Sequence, residues 1–105
     1  MAANLDAFLA ALRPLLVQQA AQAAYLFGSR ARGDAAPESD IDVIVVAPSD
    51  RPFVDRFHDY MPALLAAEGA VDLFVYTPEE FERLKAEERP FLMHALESAR
   101  PIDVG

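Results

Sequence analysis

Apolar positions along the chain follow two periods, one helical and one extended. In the first part, leucines and a phenylalanine recur at helical spacing and predict a helix from about Leu5 to Ala21, capped by Asn4. Pro14 is expected to kink or divide this helix. Later, three short apolar runs bounded by glycine or proline predict strands near residues 23–27, 40–47 and 71–76.

Helices are predicted between and after these strands. One should be capped by Ser49 or Asp50 and end at Gly69, with an interruption at Pro62. Its apolar side is predicted from helical spacing: Phe53, Phe57, Tyr60, Met61, Leu64 and Leu65. A capping box at residues 77–80 starts a further helix, and a last one spans about Pro90 to Ala99. The pattern predicts an α/β fold, a small mixed sheet packed with helices, in a single domain over residues 1–105.

The links between the strands predict how they pair. The short link from Phe27 to Asp40 suits antiparallel neighbours, whereas the helix-containing crossover from Pro48 to Ala70 suits parallel ones. The second and third strands would then begin at the same edge of the sheet. Asp72 should therefore lie level with Asp40 and Asp42.

Composition restricts the classes of function. The chain has 17 acidic and 9 basic residues, a formal charge of −8, which disfavours nonspecific nucleic-acid binding. It has no cysteine, so disulfides and thiolate metal sites are excluded. The sequence shows neither a signal peptide nor a run long enough to span a bilayer. We therefore expect a soluble cytoplasmic protein with no membrane association and no direct nucleic-acid partner.

The stretch FGSRARGDAAPESDIDVIVV carries the candidate chemistry, a GSx10DxD pattern. Three converging carboxylates, Asp40, Asp42 and Asp72, would repel one another and have raised pKa values unless a cation neutralised them. Hard oxygen ligands without sulfur favour Mg²⁺ or Mn²⁺. Taken singly, each acid could equally be a solvated residue at a strand entrance.

Phosphate binding is predicted for the turn before the acids. Gly28 permits close approach of the backbone, and Ser29 offers a hydroxyl and an amide at the start of a helical turn. Arg32, and also Arg30, could donate several hydrogen bonds to phosphate oxygens. The alternative is a surface loop in which both arginines balance local acids.

These residues resemble the minimal nucleotidyltransferase (MNT) domains of the DNA polymerase β-like superfamily. The motif GSRARGDAAPESDID is similar to the family signature, and VDLFVY is similar to its later strand with a third carboxylate. The resemblance implies that Asp40, Asp42 and Asp72 are catalytic and ligate two Mg²⁺ ions. It implies that the triphosphate of ATP is held by Gly28, Ser29, Arg30, Arg32 and Ser39.

The resemblance also implies a partner. Stand-alone domains of this size resemble the antitoxin of HEPN/MNT toxin-antitoxin pairs, which implies transfer of AMP from ATP to a tyrosine of a HEPN-family RNase toxin. Two alternatives stay open: a non-catalytic antitoxin that masks the toxin, and a nucleotidyltransferase acting on a small molecule such as an antibiotic. The final predicted helix either marks a partner surface or covers the sheet, because several of its sides are apolar: Phe91, Leu92, Met93, Ala95 and Leu96.

Overall fold

The structure, a computed structural model, describes residues 3–33 and 40–105. The strands are β1 (Ala23–Phe27), β2 (Ile41–Val46), β3 (Val71–Tyr76) and β4 (Arg100–Pro101). The α-helices are α1 (Leu5–Gln18), α2 (Gly28–Arg32), α3 (Met61–Ala67), α4 (Pro78–Ala86) and α5 (Pro90–Glu97). A 3₁₀ helix spans Phe53–Tyr60. The predicted α/β class is thus confirmed.

The four strands form one mixed sheet in the order β3-β2-β1-β4. As predicted, β1 and β2 are antiparallel and β2 and β3 are parallel. The sequence pattern missed β4, which pairs antiparallel with β1 through Arg100 and Pro101. Two residues are too short for an alternating pattern, and only the neighbouring strand identifies this segment as part of the sheet.

Helices cover both faces of the sheet. On one face, α1 and α3 bury Phe8, Leu12, Leu16, Ala63 and Ala67 against Ile41, Val43 and Val45 of β2. On the other face, α4 and α5 contribute Phe81, Leu92 and Ala95 to a second core with Phe27, Ile44 and Val46. Strand β2 is buried on both sides, as expected for a strand inside a layered α/β fold.

Helix α1 departs from the prediction at Pro14. Asn4 caps it as predicted, with its side-chain oxygen accepting a hydrogen bond of 3.0 Å from the Ala7 amide. Pro14 lies inside a continuous helix and does not divide it. Fully buried side chains on both sides of the proline, Leu12 and Leu16, offset the lost backbone hydrogen bond. The helix ends at Gln18, before the predicted Ala21, and Ala20 has a φ of +56°.

The crossover between β2 and β3 was predicted wrongly in part. Its first half is a 3₁₀ helix preceded by Pro52, without the predicted side-chain cap, and Pro62 lies at the start of α3. Phe53, Phe57 and Leu65 of the predicted apolar side are exposed. The tighter winding of a 3₁₀ helix, three residues per turn, changes which side chains face inward.

The residues that face inward from this segment are Arg56 and Tyr60. Arg56 is 6% exposed. Its guanidinium donates to the carbonyls of Arg51 (2.9 Å) and Val75 (3.0 Å) and to both carboxylate oxygens of Glu80, one at 3.1 Å. A buried charge is tolerated only when it is paired and hydrogen-bonded in this way. Arg56 thus ties the crossover to β3 and α4.

The two C-terminal helices begin as predicted. Thr77 and Glu80 form the capping box of α4, and α5 starts at Pro90. Leu92 and Ala95 are buried against the sheet, so α5 covers it, while Phe91 stays 47% exposed. No helix among the described residues is long and apolar enough to cross a membrane.

Candidate functional site

The pairing of the strands brings the candidate acids together at one edge of the sheet. In the parallel pair, Asp42 of β2 is level with Asp72 of β3. In the antiparallel pair, Asp42 is level with Phe27, the last residue of β1. The predicted meeting of Asp42 and Asp72 is therefore observed. Asp40 precedes β2 by one residue and is exposed.

Gly28 is packed against the central acid of this edge. It begins α2 with a φ of +73°, a conformation that side chains rarely adopt. A Cβ atom added to Gly28 would lie 2.4 Å from Oδ2 of Asp42. The absence of a side chain at this position therefore lets the Asp42 carboxylate sit directly against the turn.

The electrostatics of the edge are those of a crowded acid cluster. Burial, a hydrogen bond with the Asp72 carboxyl and the negative charges of Asp72 and Asp40 raise the pKa of Asp42 to about 6. The Arg32 guanidinium acts in the opposite direction and lowers this pKa. The raised pKa expected from converging carboxylates is therefore present at Asp42.

The chemistry of this donor set fits a hard divalent cation. The Asp42 and Asp72 carboxyls lie close enough to interact, so a cation could be held by oxygen ligands from both side chains. Within residues 3–33 and 40–105, no group of three or more acidic, histidine or cysteine side chains is arranged as a complete metal centre. The carboxylate pair offers a partial ligand set, which is sufficient for Mg²⁺ because this ion usually keeps several waters and substrate oxygens.

The predicted phosphate-binding residues lie in α2. Ser29 is its second residue and is half-buried, and Gly33 closes the turn at a φ of +79°. Arg32 is exposed and close enough to Asp42 to act on its carboxylate. Arg30 is half-buried, and its Nη2 donates to the carbonyl of Ala3 at 2.8 Å. Ser39, also predicted to bind the nucleotide, lies outside the described residues.

Three aromatic rings pack together, two of them at strand positions next to the acid pair, and the motif did not identify them. The Phe91 ring centroid lies 4.9 Å from that of Phe74 and 5.9 Å from that of Phe27. Phe74 follows Asp72 by two residues, on the same face of β3. The alternation of side chains along a strand could therefore have predicted that Phe74 lies near the site. The position of Phe91 depends on how α5 packs on the sheet, which the sequence pattern does not indicate.

The chain resembles chains in two crystal structures. The chain has the fold of a chain in a crystal structure of a toxin-antitoxin with AMP-PNP, at a TM-score of 0.66 and 21% identity, over 92% of this chain and 73% of that one. A second crystal structure, described as a nucleotidyltransferase from Sulfolobus solfataricus, matches at a TM-score of 0.48 and 29% identity over 72% of each chain. No curated protein matches the sequence.

The family comparison covers most of the chain and includes every described candidate residue. The model of the nucleotidyltransferase domain family matches residues 11–104. That range contains the turn at Gly28, the acid pair and the strands that position both. The chain belongs to the nucleotidyltransferase domain family.

Proposed function

We propose that this domain is a Mg²⁺-dependent nucleotidyltransferase that moves AMP from ATP to a hydroxyl group of a partner protein. In this proposal the partner is a HEPN-family RNase toxin, and the domain acts as its antitoxin. The observation that carries the proposal is the strand register, which sets Asp42 beside Asp72. Gly28 lies next to this pair, and any side chain at that position would collide with the Asp42 carboxylate.

The acid pair and the α2 turn have complementary tasks. The amide and hydroxyl of Ser29 and the guanidinium of Arg32 bind the triphosphate, with Arg30 and Ser39 as further ligands. Asp42, Asp72 and Asp40 hold the divalent cations. When bound, these ions offset charge on the attacking and leaving oxygens of an in-line displacement. The raised pKa of Asp42 supports this assignment because burial and the charges of Asp72 and Asp40 disfavour its ionised form, which a bound cation would stabilise.

The reaction exchanges one bond at the α-phosphorus. The oxygen of the acceptor hydroxyl forms a bond to this phosphorus, and the bond from the phosphorus to the oxygen bridging the β-phosphate breaks. Pyrophosphate leaves, and the hydroxyl proton is lost to solvent or to a carboxylate of the site. Asp72 is exposed, so an acceptor hydroxyl can reach it from solvent.

The identity of the acceptor is supported by the fold comparison and by charge. The crystal structure that shares the fold is that of a toxin-antitoxin with AMP-PNP, an analogue of ATP. The net charge of −8 favours association with a basic partner, such as an RNA-cleaving enzyme. Both features are consistent with an antitoxin that binds ATP and modifies its toxin.

Transfer of radiolabelled AMP tests the proposal. The purified domain, Mg²⁺ and α-labelled ATP are incubated with a HEPN-family RNase toxin, and label is followed on the toxin. Label should appear with Mg²⁺ and be absent with chelator. It should be lost in Asp42→Asn and Asp72→Asn, which remove the charges and nearly keep the shape.

A growth assay separates catalysis from masking of the toxin. If Asp42→Asn still binds the toxin but no longer rescues cells, catalysis is the protective activity. If rescue persists while labelling is lost, the domain neutralises its partner by binding alone. Labelling of the toxin by the Asp42→Asn variant at the wild-type rate would refute the proposed chemistry.

A further inference from the structure

Phe91 is an exposed ring of α5 that packs against the rings of Phe74 and Phe27. It is 47% exposed, whereas the next residue of α5, Leu92, is 1% exposed and anchors the helix to the sheet. The ring is tilted by 55° against Phe74 and meets Phe27 edge-on at 84°. Two ring contacts therefore orient Phe91, and much of its surface remains open to solvent.

The two supporting rings place Phe91 at the border of the site. Phe27 is the register partner of Asp42 in the antiparallel pair, and directly paired residues have Cβ atoms about 5 Å apart. Phe74 follows Asp72 by two residues on the same face of β3, a separation of about 7 Å. Phe91 thus packs on the immediate neighbours of both carboxylates.

We propose that Phe91 is the platform on which the base of the bound nucleoside triphosphate stacks. The inference rests on the proposed function, because it requires a nucleotide held by α2 and the acid pair. Ribose links the base covalently to the reacting phosphate, so the base must lie close to this edge. An aromatic ring that is oriented before binding loses little conformational entropy when a planar base covers it.

The class of ligand follows from the chemistry of the ring. A phenyl side chain offers a π-face and no hydrogen-bonding group, so it stacks on any base without reading its edge. Phe91 should therefore increase affinity for nucleotides over inorganic polyphosphate, with little preference between adenine and guanine. Base preference, if the enzyme has one, must come from other groups.

Calorimetric titration of the full chain with Mg²⁺ tests the inference, using two ligands. AMP-PNP contains base, ribose and phosphates, whereas tripolyphosphate contains phosphates alone. Phe91→Ala should weaken AMP-PNP binding roughly tenfold, within the range of base–aromatic stacking. It should leave tripolyphosphate binding unchanged, and Phe91→Tyr should restore AMP-PNP affinity because it keeps the ring. GMP-PNP should respond like AMP-PNP.

Phe53 provides a matched control. It is 44% exposed, and its ring stacks on that of Tyr76 at 5.4 Å. Tyr76 lies four residues beyond Asp72 on β3, about 13 Å away along the strand. Phe53→Ala removes a similar exposed ring and should leave both affinities unchanged.

Four results would overturn the inference, and each has a different meaning. Unchanged AMP-PNP affinity in Phe91→Ala, with lost labelling of the toxin, would assign the ring to the acceptor. Equal weakening of both ligands would show that Phe91 shapes the phosphate site and does not hold the base. A wild-type chain that binds neither ligand would refute the proposed function together with this inference, whereas tripolyphosphate binding alone would leave the phosphate and metal assignments standing.

Discussion

Replacing Gly28 by alanine should disable the site while leaving the fold nearly intact. The added methyl group would lie 2.4 Å from Oδ2 of Asp42, about 1 Å inside ordinary contact distance. The atom it meets is the free end of a side chain, which rotates more easily than backbone moves. We therefore expect the Asp42 carboxylate to swing away from its position beside Asp72.

Gly33→Ala is the matched control for this substitution. Gly33 has a φ of +79°, close to the +73° of Gly28, so alanine costs about 1 kcal/mol of unfolding free energy at either position. Among the residues that the structure describes, no atom lies within 4 Å of a Cβ added to Gly33. The two variants thus share the backbone penalty, and only Gly28→Ala displaces a carboxylate.

The expected effect on activity follows from the size of that displacement. Moving a reacting or metal-binding group by about 1 Å typically costs about 100-fold in rate. Transfer of labelled AMP should fall by about this factor in Gly28→Ala and stay within a few-fold of wild type in Gly33→Ala. Urea unfolding of both variants measures the shared loss of stability.

Either of two results would refute the reasoning. Equal transfer rates in the two variants would show that the Asp42 carboxylate need not sit against the turn. A loss of stability in Gly28→Ala more than about 2 kcal/mol beyond that of Gly33→Ala would show that backbone had moved, because rotation of one side chain costs less.

Other substitutions and pH changes test the charges of the fold and of the site. Glu80→Gln should lower the free energy of unfolding in urea by about 2–4 kcal/mol, because it removes the carboxylate that pairs with the buried Arg56 guanidinium. The AMP-PNP affinity of this variant should be unchanged, which would show that the effect is on stability and not on the site. Hydrogen bonds from Arg56 hold the pKa of Glu80 below its ordinary value of 4.5. The stability that Glu80 contributes should therefore be complete above pH 4.5 and be lost as the pH falls below it. The Glu80→Gln variant, unfolded in urea over the same pH range, should lack this loss. The pH dependence expected from Asp42 is opposite to that from Glu80. The pKa of Asp42 is raised from 3.8 to about 6, so the metal-free protein should lose stability as the pH rises from about 4 through 6. Asp42→Asn should abolish that loss, and Mg²⁺ at pH 7 should reverse it in the wild type. Arg32→Ala should raise the pKa of Asp42 further, which NMR titration of the Asp42 carboxyl carbon measures. The same substitution should weaken tripolyphosphate binding about tenfold or more. An unchanged pKa of Asp42 would show that Arg32 does not act on the site.

The site was more predictable from sequence than the packing around it. A GSx10DxD pattern and one later strand acid predicted that Asp42 and Asp72 would meet, because a short link and a helical crossover restrict how three strands can pair. The same local rules predicted the cap at Asn4 and the capping box at Thr77, both of which the structure contains. In each case the interacting residues are either close in sequence or aligned by the pairing of neighbouring strands.

Predictions failed where distant contacts overrode local preference. Helical spacing placed Phe53 and Phe57 inside, but the segment winds as a 3₁₀ helix and buries Arg56 instead. The partner that makes this burial possible, Glu80, is 24 residues away. No local pattern could indicate this pairing, because the benefit of burying Arg56 exists only once α4 lies beside the crossover.

Sequence alone determined the chemical groups of this protein, their order and the strand edge where they meet. The tertiary structure decided the close fit of Gly28 against Asp42, the raised pKa of Asp42 and the packing of Phe91 on Phe74. The physical reason is distance along the chain. Turn, strand and cap preferences act over a few residues, whereas desolvation, charge repulsion and ring contacts depend on segments that only folding brings together.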